Sequence, residues 1–330
     1  MKGLSGKFPF HKEFFQLYSH PDCLLHEVGE DHPETPARLE RVLHGCAGLP
    51  ARLPLSFQAP TPARVSQLES VHEKDYLMRL KIACLRSSPF FMSPDNHISP
   101  YTFRAVLAAG GCSLALAETL LEQGAGFALV RPPGHHAGRK SAEGFCFINH
   151  AALVIETIRK KEPTAGFLVV DFDVHHGNGI NFLYYDDPRI FYYSLHGTPD
   201  HIFPNTGHAH ETGQGQGSGC TCNITLPLES SGDQWLEQFE ANLRSFEQKI
   251  RPDYLLVNAG FDAHEDDPFG FMNVEDHHFL QAVRHLHAIA REQCGGRIGL
   301  FLEGGYSMTV LERLVPAIIA DLAVEHSRIP

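Results

Sequence analysis

Six short runs of apolar and β-branched residues mark out the chain: "GFALV" (126–130), "GFLVV" (166–170), "RIFYYSL" (189–195), "CNITLPL" (222–228), "DYLLVNA" (253–259) and "RIGLFLE" (297–303). They are nearly continuous rather than alternating. That pattern predicts strands buried on both faces, as in a parallel sheet covered by helices. Between the runs the apolar spacing turns helical. Helices are expected over 101–124, ending on Gly124 as a C-cap residue, and in the stretches that begin at Asn149, Ser231 and Asn273. Strand, loop, helix, strand is the βαβ rhythm of an α/β protein. No internal repeat occurs, and no linker rich in Pro, Gly or Ser divides the chain. Residues 1–330 are therefore expected to form one domain.

In open parallel sheets, ligands bind beyond the carboxyl ends of the strands. Four of the runs continue into polar, glycine-rich segments: "RPPGHHAG" after 130, "DFDVHHGNG" after 170, "GFDAHEDDPFG" after 259 and "GGYS" after 303. In the second of these, Asp171, Asp173 and His175 alternate, and side chains two apart on an extended segment share a side. A carboxylate and an imidazole on one side suit Zn²⁺, which takes O and N donors at about 2.0–2.2 Å. A catalytic zinc uses three protein ligands and keeps a position open, so the third ligand should come from another strand end. Asp262 is the best candidate. Taken singly, each carboxylate reads equally well as a helix cap or a turn residue; it is their shared location that points to a metal.

Composition narrows the class. The length of 330 residues allows one large α/β domain or two ordinary ones, and 43% hydrophobic with 20% charged residues fits a soluble globular protein. A net charge of −12 argues against a general nucleic-acid binder and is compatible with a cationic substrate, although plain solubility explains it as well. The eight cysteines lack paired metal spacing and are expected to be reduced and mostly buried. No secretory signal is seen in "MKGLSGKFPFHKEFF", and no apolar run reaches the length needed to cross a bilayer. The expectation is a cytoplasmic protein with no membrane partner. Nothing in the sequence sets an oligomeric state.

"RPPGHHA", "DFDVHHGNG", "SLHG", "NAGFDAHEDDP" and "EGGYS", with "HPETPARL" at 32–39, resemble in order and spacing the histone deacetylase family, including its bacterial deacetylase-like and acetylpolyamine amidohydrolase members. The resemblance covers roughly residues 17–310. It implies the arginase–deacetylase fold, with a central eight-stranded parallel sheet, and a zinc-dependent amidohydrolase acting on acyl-lysine peptides or proteins, or on small acetylated amines. By this resemblance Asp173, His175 and Asp262 match the zinc ligands, and His135 and His136 the tandem active-site histidines. Tyr306 matches the tyrosine that polarises the scissile carbonyl. Asp171 and Asn178 match the partners of the two histidines; many members carry a second Asp at the latter position, and Asn resembles the class II type. Gly144, Phe145 and Phe203 match the walls of the acyl-lysine tunnel, and Asp95 the rim aspartate that grips the substrate backbone. Asp171, Asp173, His175, Ser194 and Leu195 match a structural potassium site built mostly from main-chain oxygens. Polyamine specialists of the family place an acidic gatekeeper at the tunnel mouth, where this chain has Phe269.

The chemistry agrees with those roles. An amide needs a nucleophile, an electrophilic helper and a proton carrier. His136 is the expected general base and acid, with His135 held protonated by Asp171 as electrostatic support. Asn178 carries no charge and should leave His136 less basic than an Asp would. Two other readings remain. "DAHED" at 262–266 also resembles the two-manganese ureohydrolases, which share the fold, but the tandem histidines and the tyrosine have no part in that chemistry. A catalytically dead acyl-lysine reader would not need an intact set of ligands, base and tyrosine. The remaining features read as structural. "GQGQGSG" (213–219) is expected to be a mobile glycine loop, and "CTC" (220–222) strand interior. His277, His278, His285 and His287 should be exposed or capping, and Trp235 should be ordinary packing.

Overall fold

The computed structural model describes residues 14–29, 31–247 and 250–328. All six apolar runs become strands, and further strands arise earlier in the chain. In order they are β1 (Phe15–Tyr18), β2 (Leu55–Gln58), β3 (Phe90–Phe91), β4 (Ser93–His97), β5 (Gly126–Ala128), β6 (Phe167–Asp171), β7 (Ile190–Gly197), β8 (Thr221–Leu226), β9 (Tyr254–Ala259) and β10 (Ile298–Leu302). The helices are α1 (Pro36–Ala47), α2 (Val65–Leu68), α3 (Lys74–Leu85), α4 (Thr102–Leu121), α5 (His150–Arg159), α6 (Asn178–Leu183), α7 (Gly232–Glu247), α8 (Asp276–Gln293) and α9 (Met308–His326). Eight strands pair in parallel in the order β2-β1-β5-β10-β9-β6-β7-β8, and β3 with β4 forms a separate antiparallel hairpin.

Every residue of β6, β9 and β10 is buried, which is why these strands read as unbroken apolar runs. β1 and β2 gave no such signal because they are short and carry polar residues. In β1 the amide of Gln16 is buried and bonds to Phe14 O and to Gln58, while β2 is only partly covered at the sheet edge. The strand order has a functional consequence. β5, β10, β9 and β6 are adjacent at the middle of the sheet, and they are the four strands followed by polar glycine loops. The chain passes from β5 to β6 across a gap that β9 and β10 later fill. The four loops therefore meet at a topological switch point.

Some local expectations change. α4 ends in a Schellman motif in which Gln123, not Gly124, is the left-handed residue (φ 62°); Gly124 N donates to Thr119 O at 2.9 Å. α4 is also long and apolar enough to cross a bilayer, contrary to the reading of the sequence, but it packs against α5 and β5 inside the fold. His278 does cap α8, with its Nδ1 accepting from Glu275 N at 3.0 Å, and His277 is exposed. His287 is buried instead, because it faces the packed side of that helix. Trp235 is fully buried and stacks on Phe239, and Cys222 lies within β8 just after Cys220.

Candidate active site

Asp173 and His175 follow β6, and Asp262 follows β9, its hydrogen-bonded neighbour in the sheet. His175 Nδ1 lies 3.1 Å from Asp173 Oδ1 and 3.1 Å from Asp262 Oδ2, so one ring nitrogen faces two carboxylates. The ligand atoms of the three residues all lie within 4.8 Å of one another. Backbone amides hold the carboxylates in place: Gly304 N donates to Asp173 Oδ2 at 2.8 Å, and Val174 N to Asp262 Oδ1 at 2.9 Å. Glycine is required at 304, because a Cβ there would stand 2.3 Å from Asp262 Oδ2 and 2.5 Å from Asp173 Oδ2.

Two carboxylates buried this close need a cation. Burial and the Asp173 charge push Asp262 up to about 7. Burial also opposes ionisation of Asp173, but His135 and His175 outweigh it and hold that carboxyl low. Burial disfavours a charged His175, yet hydrogen bonds to Asp173 and Asp262 raise it to about 10. His175 Nδ1 thus stands where the oxygens of both carboxylates converge. Two oxygens and one imidazole nitrogen fit Zn²⁺.

The tandem histidines come from the loop after β5, and their rings lie 3.9 Å apart. Their partners differ. His135 Nδ1 is 3.2 Å from Asp171 Oδ2, and its Nε2 is 3.8 Å from Asp173. Burial opposes its charge, but Asp173 and Asp171 prevail and raise it to about 10. His136 Nδ1 meets Asn178 Oδ1 at 2.8 Å. Burial, and then the positive neighbours His135 and His175, hold His136 well below the usual imidazole range. The two imidazoles are thus pushed in opposite directions, His135 towards the charged form and His136 towards the neutral one. Asp171 is itself anchored by Tyr192 Oη at 3.2 Å and Asn258 Nδ2 at 2.9 Å.

Tyr306 follows β10. Its ring meets Phe269 edge-on at 4.9 Å, and the Arg38 guanidinium lies 5.0 Å from its centroid. Burial raises its hydroxyl well above the ordinary range, so the group is a neutral donor. Tyr306, His135, His136, Asp173 and His175 line a cavity of about 230 Å³ together with Gly144, Phe145, Phe203, Phe269 and Asp95. Gly144 (φ 50°) brings backbone against the His136 ring, where a Cβ would be 2.3 Å from Cδ2. Phe203 packs edge-on against His136 at 5.0 Å. Asp95 sits on the β3–β4 hairpin and is fixed by Ser93 Oγ, and Asn96 beside it accepts from Phe145 N at 2.8 Å. Ser194 and Leu195 lie on β7, with Ser194 directly beside Asp171 in the strand register.

The sequence reading missed the supports of this site. Glu303 Oε2 accepts from Gly134 N at 2.7 Å and His135 N at 3.1 Å, clamping the histidine loop to the end of β10; burial pushes its carboxyl up to about 7. Glu34 and Arg38, both in "HPETPARL", are completely buried and joined at 3.0 Å. Arg38 also donates to the carbonyls of Gly305, at 2.6 Å, and Glu303. Glu143 Oε2 accepts from Asn178 Nδ2 at 3.0 Å. Glu34, Arg38 and Glu303 were at least visible as ionisable residues inside the quoted motifs, but their partners lie far away in sequence. By contrast, His264 and Asp266 of "DAHED" pair with residues other than the three candidate metal donors. His264 Nε2 meets Asp276 at 2.9 Å, and Asp266 pairs with Arg313 at 3.1 Å.

Comparison with known proteins agrees with this geometry. The histone deacetylase domain family matches residues 32–322. Histone deacetylase 10, chloroplastic, of Oryza sativa subsp. japonica is 33% identical over 305 residues, covering 87% of this chain and 68% of its own. The crystal structure of the HDA15 HD domain superposes with a TM-score of 0.86 at 28% identity, covering 96% of this chain and 90% of that one. That of an acetylpolyamine aminohydrolase from Burkholderia pseudomallei superposes with 0.79 at 26% identity, covering 93% and 98%. The eight-stranded parallel sheet is that of the arginase–deacetylase fold, and the chain belongs to the histone deacetylase family.

Proposed function

We propose that this protein is a zinc-dependent amidohydrolase that removes acetyl and other short acyl groups from lysine side chains of peptides or proteins. The observation that carries this reading is a single cavity. It collects the Asp173 and His175 donors, the imidazoles of His135 and His136, and the Tyr306 hydroxyl between walls of Phe145 and Phe203, and the ligand atoms of the third donor, Asp262, lie within 4.8 Å of those of Asp173 and His175. Such intact machinery opposes a catalytically dead reader.

Zinc, when bound by Asp173, His175 and Asp262, supplies a Lewis acid and lowers the pKa of water. The protein's own groups do the rest. Phe145 and Phe203 cover the aliphatic stem of an acyl-lysine, which buries its methylenes well. Asp95 accepts from peptide N–H groups at the rim. The neutral Tyr306 hydroxyl donates to the acyl oxygen as negative charge develops there. His136 Nδ1–H donates to Asn178, leaving Nε2 to take the proton of the attacking water and return it to the departing amine. Cationic His135, set by Asp171, offsets negative charge from beside. By the family resemblance, a structural potassium ion would be held mostly by main-chain oxygens of Asp171, Asp173, His175, Ser194 and Leu195.

The alternative substrate is an acetylated polyamine, the substrate class for which the Burkholderia neighbour is named. A free polyamine presents a distant ammonium. The position that would read it holds Phe269, 42% exposed, which offers a cation only about 0.5–1 kcal/mol. We expect kcat/KM for an acetyl-lysine peptide to exceed that for acetylputrescine and acetylspermidine. A clear preference for the polyamines would overturn this assignment.

A further inference from the structure

Asn178 is an ambiguous partner for a histidine. Its amide has an acceptor at one end and a donor at the other, and the two ends have nearly the same shape. With oxygen towards His136, Nδ1 must carry the proton and Nε2 is free to accept. With nitrogen towards His136, the tautomer reverses. A carboxylate in the position of Asn178 would have no such choice.

Glu143 removes the ambiguity. Its Oε2 lies 3.0 Å from Asn178 Nδ2, while Asn178 Oδ1 lies 2.8 Å from His136 Nδ1. An ionised carboxylate only accepts, so the donor end of the amide must face Glu143 and the acceptor end must face His136. The backbone fixes Glu143 for this task. Cys146 N donates to Glu143 O at 2.8 Å across a tight turn whose middle residues, Gly144 and Phe145, both have positive φ. The same turn presses Gly144 against the His136 ring.

We infer that Glu143 is a positioning residue that fixes the tautomer of His136 through the Asn178 amide. The inference rests on the reading of His136 as proton carrier. It makes Glu143, Asn178 and His136 one chain of three groups, with the charge one residue further out than in an Asp–His pair. It also predicts a conflict: the carboxylate introduced by Asn178→Asp would face Glu143 at hydrogen-bond distance, and two like charges there repel.

The test is a double-mutant cycle with two readouts on the zinc-loaded protein. Glu143→Gln keeps shape but adds a donor, so the amides of residues 143 and 178 become free to flip together. Its kcat on an acetyl-lysine peptide should fall about tenfold with KM unchanged, a typical cost of losing the partner that orients an active-site group. Asn178→Asp alone should also lower kcat, whereas the double variant should recover much of it, because the new amide donates to the new carboxylate. Long-range ¹H–¹⁵N spectra of ¹⁵N-histidine-labelled protein give the second readout. The chain has 22 histidines, so the His136 signals are assigned by their loss in His136→Ala. The parent should show the Nδ1–H form alone, and Glu143→Gln a mixture. Additive kinetic effects, or an unchanged tautomer in Glu143→Gln, would overturn the inference. If the parent cleaves no acetyl-lysine peptide, the amidohydrolase reading falls, and the spectra alone decide on Glu143.

Discussion

A Tyr306→Phe enzyme is expected to lose about 10²–10³-fold in kcat on an acetyl-lysine peptide, the cost of removing one oxyanion donor. The ring would stay where it is, held by the edge of Phe269 at 4.9 Å and by Arg38 at 5.0 Å. Its backbone amide would still donate to Asp267 Oδ2 at 2.7 Å. Only the hydroxyl disappears, and in the parent it is reliably protonated because burial keeps its ionisation out of reach. The acyl oxygen gains most of its charge on the way to the transition state, so KM should change little while kcat falls. Steady-state kinetics on one peptide decide the matter. A variant with nearly full activity would remove Tyr306 from the chemistry.

The largest expected stability effect lies below the site, at Glu34. Its carboxylate is fully buried, 3.0 Å from Arg38 and 2.8 Å from Arg131, and both guanidiniums are fully buried too. His26 stands 3.6 Å away, but burial and Arg131 keep it neutral. One carboxylate therefore balances two cations. Glu34→Gln would leave both without a counter-charge, a loss of about 3–5 kcal/mol by analogy with other broken buried pairs. Urea unfolding of the zinc-loaded variant should show it. Activity should fall as well, since Arg38 ties down the carbonyls of Glu303 and Gly305 beside Tyr306. A midpoint equal to that of the parent would show that Arg131 and Arg38 do not depend on Glu34.

The central sheet was legible because its middle strands are buried on both faces. β6, β9 and β10 could not alternate polar and apolar residues, so they stood out as runs. The edge strand β2 and its polar-spaced neighbour β1 could not stand out, and neither could a hairpin as short as β3–β4. The grouping of the three candidate metal donors was legible for a different reason: Asp173 and His175 are neighbours in sequence, and Asp262 sits at a comparable strand end. Glu34, Glu143 and Glu303 were not. Each acts through a partner distant in sequence or through a loop whose position depends on the sheet, as in the contact between Gly134 N and Glu303. Such pairing is a property of the sheet order, in which β5 and β10 are adjacent, and local pattern carries no trace of it. The left-handed Gln123 at the end of α4 shows the same limit at a helix terminus.

Metal content and metal-dependent turnover test the central claim together. Chelated protein should be inactive on an acetyl-lysine peptide, and titration with Zn²⁺ should restore acetate release up to a break at about one ion per chain. Asp262→Ala should abolish both the tight binding and the activity, since it removes one of the three converging donors. Tight binding of two manganese ions per chain, or full acetate release by the metal-free protein, would contradict the assignment.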